Sequence, residues 1–145
     1  MTYQPKQTNT EISVLKLSAA GTIAVNDYFD LTAVVSGITG QSISGGNALS
    51  LPAGHYLIEA SAGLDRSSYS DYLTYQCEVG GTLTGTTGAM DSEDASNLSF
   101  CVDQALAATS QTETWTLKVK VTSCTAAAWT SQTDYSYLLI TRAYR

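Results

Sequence analysis

The stretch Leu49-Ser-Leu-Pro-Ala-Gly-His-Tyr-Leu-Ile-Glu-Ala-Ser-Ala62 decides how the rest of the chain reads. An apolar lead-in meets a Pro-Ala-Gly turn, and an alternating pattern starts at His55. Pro52 holds its φ near one value, and Gly54 can take a φ that costs other residues dearly. The chain is therefore expected to reverse here into a new strand. Side chains alternate along a strand, so Tyr56, Ile58 and Ala60 share one face while His55, Leu57, Glu59 and Ser61 share the other. The pattern is that of a strand in a β-sandwich or barrel.

Similar segments lie on both sides. Upstream, Glu11–Leu17, Thr22–Val25 and Leu31–Val35 have strand character, with the turn-prone pair Asn26-Asp27 between the last two. One of Tyr28 and Phe29 is expected in the core. Residues 37–46 form a glycine-punctuated connection of two short extended pieces. Downstream, Leu64–Asp71 is a polar loop and Tyr72–Val79 a strand, with Leu73, Tyr75, Cys77 and Val79 on its buried face. Gly80-Gly81 signals a hairpin into Thr82–Thr84. Thr86–Asn97 is expected to be an acidic loop and Leu98–Val102 a strand. Thr114–Val121 alternates most cleanly, with Trp115, Leu117, Val119 and Val121 inward. Cys124–Thr133 is a loop of small residues, and Asp134–Arg145 closes the chain. No helical period survives anywhere. The expected fold class is all-β, a two-sheet antiparallel sandwich of about eight to ten strands. Residues 1–10 form an arm and 11–145 a single domain.

Composition narrows the function. In 145 residues, 14% are charged and 43% hydrophobic, enough for a packed core. Ser and Thr make up about a quarter of the chain, which suits short strands joined by polar turns. A net charge of −6 repels a phosphate polyanion, and no Lys/Arg cluster offsets it, so nucleic acid is not an expected partner. The polar first ten residues lack the apolar run of a signal peptide, and no apolar segment nears the 18 residues of a membrane helix. The expectation is assembly inside a cell without export, and no membrane partner. Cys77, Cys101 and Cys124 lack metal-binding spacing. They are either small buried hydrophobes in a reducing compartment or one disulfide plus a free thiol.

The residues offer little catalytic chemistry. His55 is the one histidine, so a multi-histidine metal site is excluded. It could serve as the base of a Ser/His/Asp triad, but the chain has no G-x-S-x-G elbow. Asp91, Glu93 and Asp94 cluster as calcium ligands might, without a complete calcium-loop spacing. Glu59, Asp71 and Glu78 are acids without a pairing that spacing can show. No cofactor and no enzymatic activity are expected.

The aromatic residues carry more. Nine tyrosines stand against two phenylalanines, and tyrosine favours half-buried positions and interfaces where its hydroxyl stays wet. In the closing segment Tyr135, Tyr137 and Leu139 share one face, and Ser136, Leu138 and Ile140 share the other. A strand apolar on both faces needs a cover on each. In a chain without helices, a neighbouring subunit can supply the second.

Leu51-Pro-Ala-Gly-His-Tyr-Leu-Ile-Glu-Ala-Ser61 and Tyr135-Ser-Tyr-Leu-Leu-Ile-Thr-Arg142 together resemble two strands of the trimeric jelly rolls of the tumour-necrosis-factor and complement-globular-head type. The likeness is strongest to their tailed-phage relatives, and it covers residues 49–145. It implies a ten-strand jelly roll in a threefold trimer, with Tyr135, Tyr137 and Leu139 near the subunit contacts. It also implies a phage virion protein, assembled in the host cytoplasm, that decorates the outer capsid surface, binds the major capsid protein and stabilises the shell. The arm, through Tyr3 and Pro5, would order against the shell or a neighbouring bead. The alternative within the same resemblance is a receptor- or carbohydrate-binding fibre tip. There Tyr69, Tyr72 and Trp129 would stack on sugars of a host-surface glycan.

Overall fold

A computed structural model describes residues 10–18, 22–65, 72–91, 99–107, 114–125, 127–128, 130–131 and 136–143. Thirteen strands run through them in the order β1 (Thr10–Ser18), β2 (Thr22–Ile23), β3 (Asp30–Ser36), β4 (Ser42–Ser44), β5 (Ala48–Leu51), β6 (His55–Asp65) and β7 (Tyr72–Val79). They continue as β8 (Thr82–Asp91), β9 (Ser99–Ala107), β10 (Trp115–Cys124), β11 (Ala127–Ala128), β12 (Thr130–Ser131) and β13 (Tyr137–Ala143). Three of these are two-residue segments, which leaves ten longer strands. All described pairings are antiparallel.

The strands form two large sheets and a small ribbon. One sheet runs β12-β6-β13-β1-β3, with β9 also paired to β6. The other runs β4-β5-β10-β7-β8, and β2 pairs with β11. The organising segment lies in the first sheet. Pro52 ends β5 in one sheet and Gly54 precedes β6 in the other, so the Pro-Ala-Gly turn carries the chain across the sandwich. This is a two-sheet antiparallel jelly roll.

The core fills the space between the sheets. From the first sheet come Leu15, Leu17, Tyr56, Ile58, Ala60, Leu138 and Ile140; from the second come Leu49, Leu51, Leu73, Tyr75, Cys77, Leu117, Val119 and Val121. Phe29 and Ile38 close it from the connections, and Phe29 meets Tyr75 edge-to-face at 6.0 Å between ring centres. Each large apolar side chain so buried contributes about 1.5–3 kcal/mol of transfer free energy. Alternation produced this arrangement, because every inward residue of β7 and β10 falls on the apolar phase of a two-residue period.

Several expectations need correction. The acidic segment from Thr86 is not all loop, since β8 continues to Asp91. Pairing with β7 satisfies that backbone despite weak strand propensity. The strand begun at Ser99 runs on to Ala107, paired along its length with β6. The small-residue segment after Cys124 contains β11 and β12. The strand expected at Thr22–Val25 shrinks to two residues, and Val25 is exposed. In residues 37–46 one extended piece forms, β4, instead of two.

Gly54 does not adopt a positive φ; space explains it instead, because a Cβ there would lie 2.7 Å from Nε of Arg142. The Gly80-Gly81 hairpin does take the left-handed conformation at both residues, with φ of 56° and 85°, as a two-residue turn requires.

Candidate interaction face

The outer face of the first sheet is built on β13. Residues opposite one another in antiparallel strands share a face. Leu139 lies opposite Glu59 on β6 and Val14 on β1; Tyr137 lies opposite Ser61 and Lys16; Thr141 lies opposite Leu57 and Ile12. One strand further out, Val35 is opposite Val14 beside a bulge that inserts Val34. This face therefore carries Ile12, Val14, Val35, Leu57 and Leu139, with Glu59 among them and Lys16 at the margin.

Its exposure is uneven. Ile12, Leu57 and Val35 are 46%, 42% and 49% exposed, while Tyr137, Leu139, Val14 and Glu59 are half-buried. Ser61, beside Tyr137, is fully buried. Such a run of apolar side chains on a sheet face costs free energy in water and falls when another surface covers it.

Polar contacts tie this sheet to the turns beside it. The Arg142 guanidinium reaches Oε2 of Glu11 at 3.4 Å and donates to the Ala53 carbonyl at 2.9 Å. Its carbon lies 5.9 Å from the Tyr56 ring centre. The Tyr56 hydroxyl donates to the Pro52 carbonyl at 2.6 Å. One side chain thus ties β1, β13 and the Pro-Ala-Gly turn together. Further along β1, the buried Ser13 hydroxyl donates to Oε1 of Gln41 and accepts the amides of Gly37 and Ile38, each at 3.1 Å. That clamps the connection after β3 onto β1. Neither device was legible beforehand, because each joins residues 24 or more positions apart.

The opposite outer face, on the second sheet, is mixed: Leu83 and Tyr72 are exposed on it, beside a polar cluster. The Tyr28 hydroxyl donates to both carboxylate oxygens of Glu78 at 3.1 Å, and Lys120 pairs with the same carboxylate at 3.5 Å. The ammonium of Lys118 stands 4.6 Å from the Tyr28 ring centre, and that of Lys120 stands 5.6 Å away. Glu78 and Lys120 offset one another on the fold's own surface, and the second ammonium, Lys118, rests over the Tyr28 ring. The outward Lys-x-Lys of β10 was the signal; the partner, Tyr28, comes from a bridge to Lys120 that no local pattern encodes.

Of the residues singled out from the sequence, Tyr137 and Leu139 sit together on the first sheet's outer face. Tyr135 lies outside the described residues, as do Tyr3, Pro5, Tyr69 and Trp129. Tyr72 begins β7 and is 43% exposed, its backbone bonded to Thr125. His55 opens β6 with its backbone opposite Ala143. Glu78 is tied to Tyr28 and Lys120 on one sheet, while Glu59 lies on the other, so these two acids do not face one cleft. Asp71, Glu93 and Asp94 lie outside the described residues. Cys77 lies within the core, and Cys124 is half-buried at the end of β10. Burial pushes the Cys124 thiol pKa up, and the Asp27 carboxylate adds to the shift.

No family model matches the sequence, and no curated protein matches it. Solved structures do match the fold. The Eiger TNF of S. frugiperda superposes with a TM-score of 0.66 at 11% identity, covering 92% of each chain. Murine APRIL at pH 5.0 superposes with a TM-score of 0.61 at 15% identity, covering 91% of this chain and 99% of that one. The fold is the TNF-like jelly roll. At these identities the likeness concerns backbone architecture: a TNF-like sandwich whose uncovered apolar face lies on the sheet containing both chain-terminal strands, β1 and β13.

Proposed function

We propose that this protein is a homotrimeric structural bead of a bacteriophage virion, a decoration protein that binds the outer capsid surface and braces the shell, without enzymatic activity. The observation that carries the trimer is the apolar outer face of the β6-β13-β1 region, with Ile12, Val35 and Leu57 each more than two-fifths exposed in the single chain. Subunits of one fold meeting on such a face bury it at no cost in catalytic geometry. The TNF-like architecture supports the reading. The capsid context rests on the likeness of Leu51–Ser61 and Tyr135–Arg142 to phage jelly rolls.

Native mass spectrometry at low micromolar concentration should give three times the 15.4 kDa chain mass. The trimer should then bind emptied capsids and raise their resistance to heat, and deletion of residues 1–10 should weaken that binding. A monomer would overturn the trimer. Unchanged capsid binding by the truncated chain would remove the arm. A second reading, a carbohydrate- or receptor-binding tip, is favoured by the exposure of Tyr72; glycan binding without capsid binding would select it.

A further inference from the structure

We infer that the open edge of β3 takes up, as an added strand, residues 1–9 of a neighbouring copy. This rests on the trimer reading above and names a second contact between its subunits. β3 ends its sheet, with β1 on one side and no strand among the described residues on the other. Every residue from Thr32 to Gly37 is exposed, Val34 and Val35 by 55% and 49%. Ala33 shares the inward phase of Leu31, since their partners on β1 are the buried Leu15 and Leu17. Beyond Leu31, then, both faces of this strand are uncovered as well as its edge.

The backbone there is set to pair. Leu17 donates its amide to Ser136 at 3.1 Å and its partner Leu31 donates to Gly46 at 2.7 Å, so the two point away from each other. Two residues on, Ala33 opposite Leu15 repeats that orientation and turns its N–H and C=O to the open edge. Gly46 occupies the edge at Leu31, which leaves the segment from Ala33 onward. Apart from the bulge at Val34, that segment has neither the lysine nor the proline that guards natural edges.

Residues 1–9 fit this edge. They join the sheet at Thr10, three residues before Ser13, the partner of Ser36 at the end of β3. Fully extended they reach about 30 Å, enough to pass from one copy to the next. The edge of their own copy is screened from them by the connection after β3. Ser13 fastens that connection to β1 by accepting the Gly37 and Ile38 amides, and Glu11 accepts the Thr39 amide at 3.3 Å. The one charged side chain of residues 1–9 is Lys6, opposite in sign to Asp30, the one charge on β3. Pro5 has no N–H and must face away from β3, which turns the Gln4 amide toward it. The added strand then presents Pro5 and Lys6 as a guarded new edge, and the sheet stops there. A second copy's β3 brings no such guard, and antiparallel pairing of like edges is twofold, joining two copies and not three.

The experiment follows amide hydrogen exchange at Ala33 by nuclear magnetic resonance, with native mass spectrometry on the same samples. In the full chain the Ala33 amide should exchange more slowly, on the order of tenfold or more, than in the Gln4→Pro variant. That variant removes the donor facing β3 and touches none of the described strands. Deleting residues 1–9 should give the same fast exchange, with strand content checked by far-ultraviolet circular dichroism. The protection should fall on dilution in step with the trimer. Fast exchange at Ala33 in a trimeric wild type, or protection that survives Gln4→Pro, would overturn the added strand and leave the trimer standing. Protection independent of concentration would put the strand on its own copy and overturn the exchange equally. A wild type that is monomeric at every concentration would overturn both.

Discussion

At the scale of the residue, close approach governs more than conformational preference does. Gly88 on β8 lies opposite Tyr75, and the tyrosine ring lies over it. A Cβ at position 88 would stand 2.6 Å from Cε1 and 2.8 Å from the hydroxyl oxygen of Tyr75. Tyr75 is fully buried against Phe29 and has nowhere to retreat. Gly88→Ala should therefore destabilise the fold by about 1–3 kcal/mol, read as a lower urea midpoint at unchanged slope; an unchanged midpoint would show that the ring can shift. Gly54 is the same lesson, since the Arg142 side chain occupies the space a Cβ would need. Both glycines look like ordinary turn or strand glycines in the sequence. What they accommodate is a side chain 13 or 88 positions away, and local pattern has no access to it. Phe29 was half legible, as one of two adjacent aromatics expected inside. Which of them went in was decided by Tyr28 finding Glu78 and two lysines on the surface.

At the scale of the element, β13 carries two jobs on alternate residues. Leu138 and Ile140 are fully buried in the sandwich, while Tyr137 and Leu139 form part of the outer face. Adjacent leucines should then respond differently. Leu138→Ala leaves a cavity and should cost about 2–5 kcal/mol of folding stability. Leu139→Ala should change monomer stability by about 0.5 kcal/mol or less, yet weaken self-association by roughly 1–2 kcal/mol. Chemical denaturation of dilute protein reads the first, and sedimentation equilibrium the second. Equal losses of folding stability would place Leu139 in the monomer's core. The alternation of β6, β7 and β10 was legible because a buried face and a solvated face impose a two-residue period. Where both faces are small or polar, as in β8 beyond Thr84 and in β11, the period vanishes and the strands were missed.

At the scale of the molecule, an uncovered apolar face makes stability depend on concentration. If subunit contacts cover it, the melting temperature should rise as protein concentration is raised from low to high micromolar, because association draws on the folded state alone. A melting temperature independent of concentration would mean that the face contributes nothing to stability. The all-β class, a turn at Pro52 into a new strand, the hairpin at Gly80-Gly81 and the inward residues of the longest alternating strands were determined by the sequence itself. Each follows from rules that act within a few residues: the pleat, the φ of proline and the freedom of glycine. Only the tertiary structure decided the rest. It placed β1 beside β13, set Leu57, Glu59, Leu139, Val14 and Lys16 on one surface, and tied β1 and the Pro-Ala-Gly turn to Arg142. Those pairings join residues up to 133 positions apart, Thr10 with Ala143, and they are chosen by the burial of the whole core at once, which no short stretch encodes.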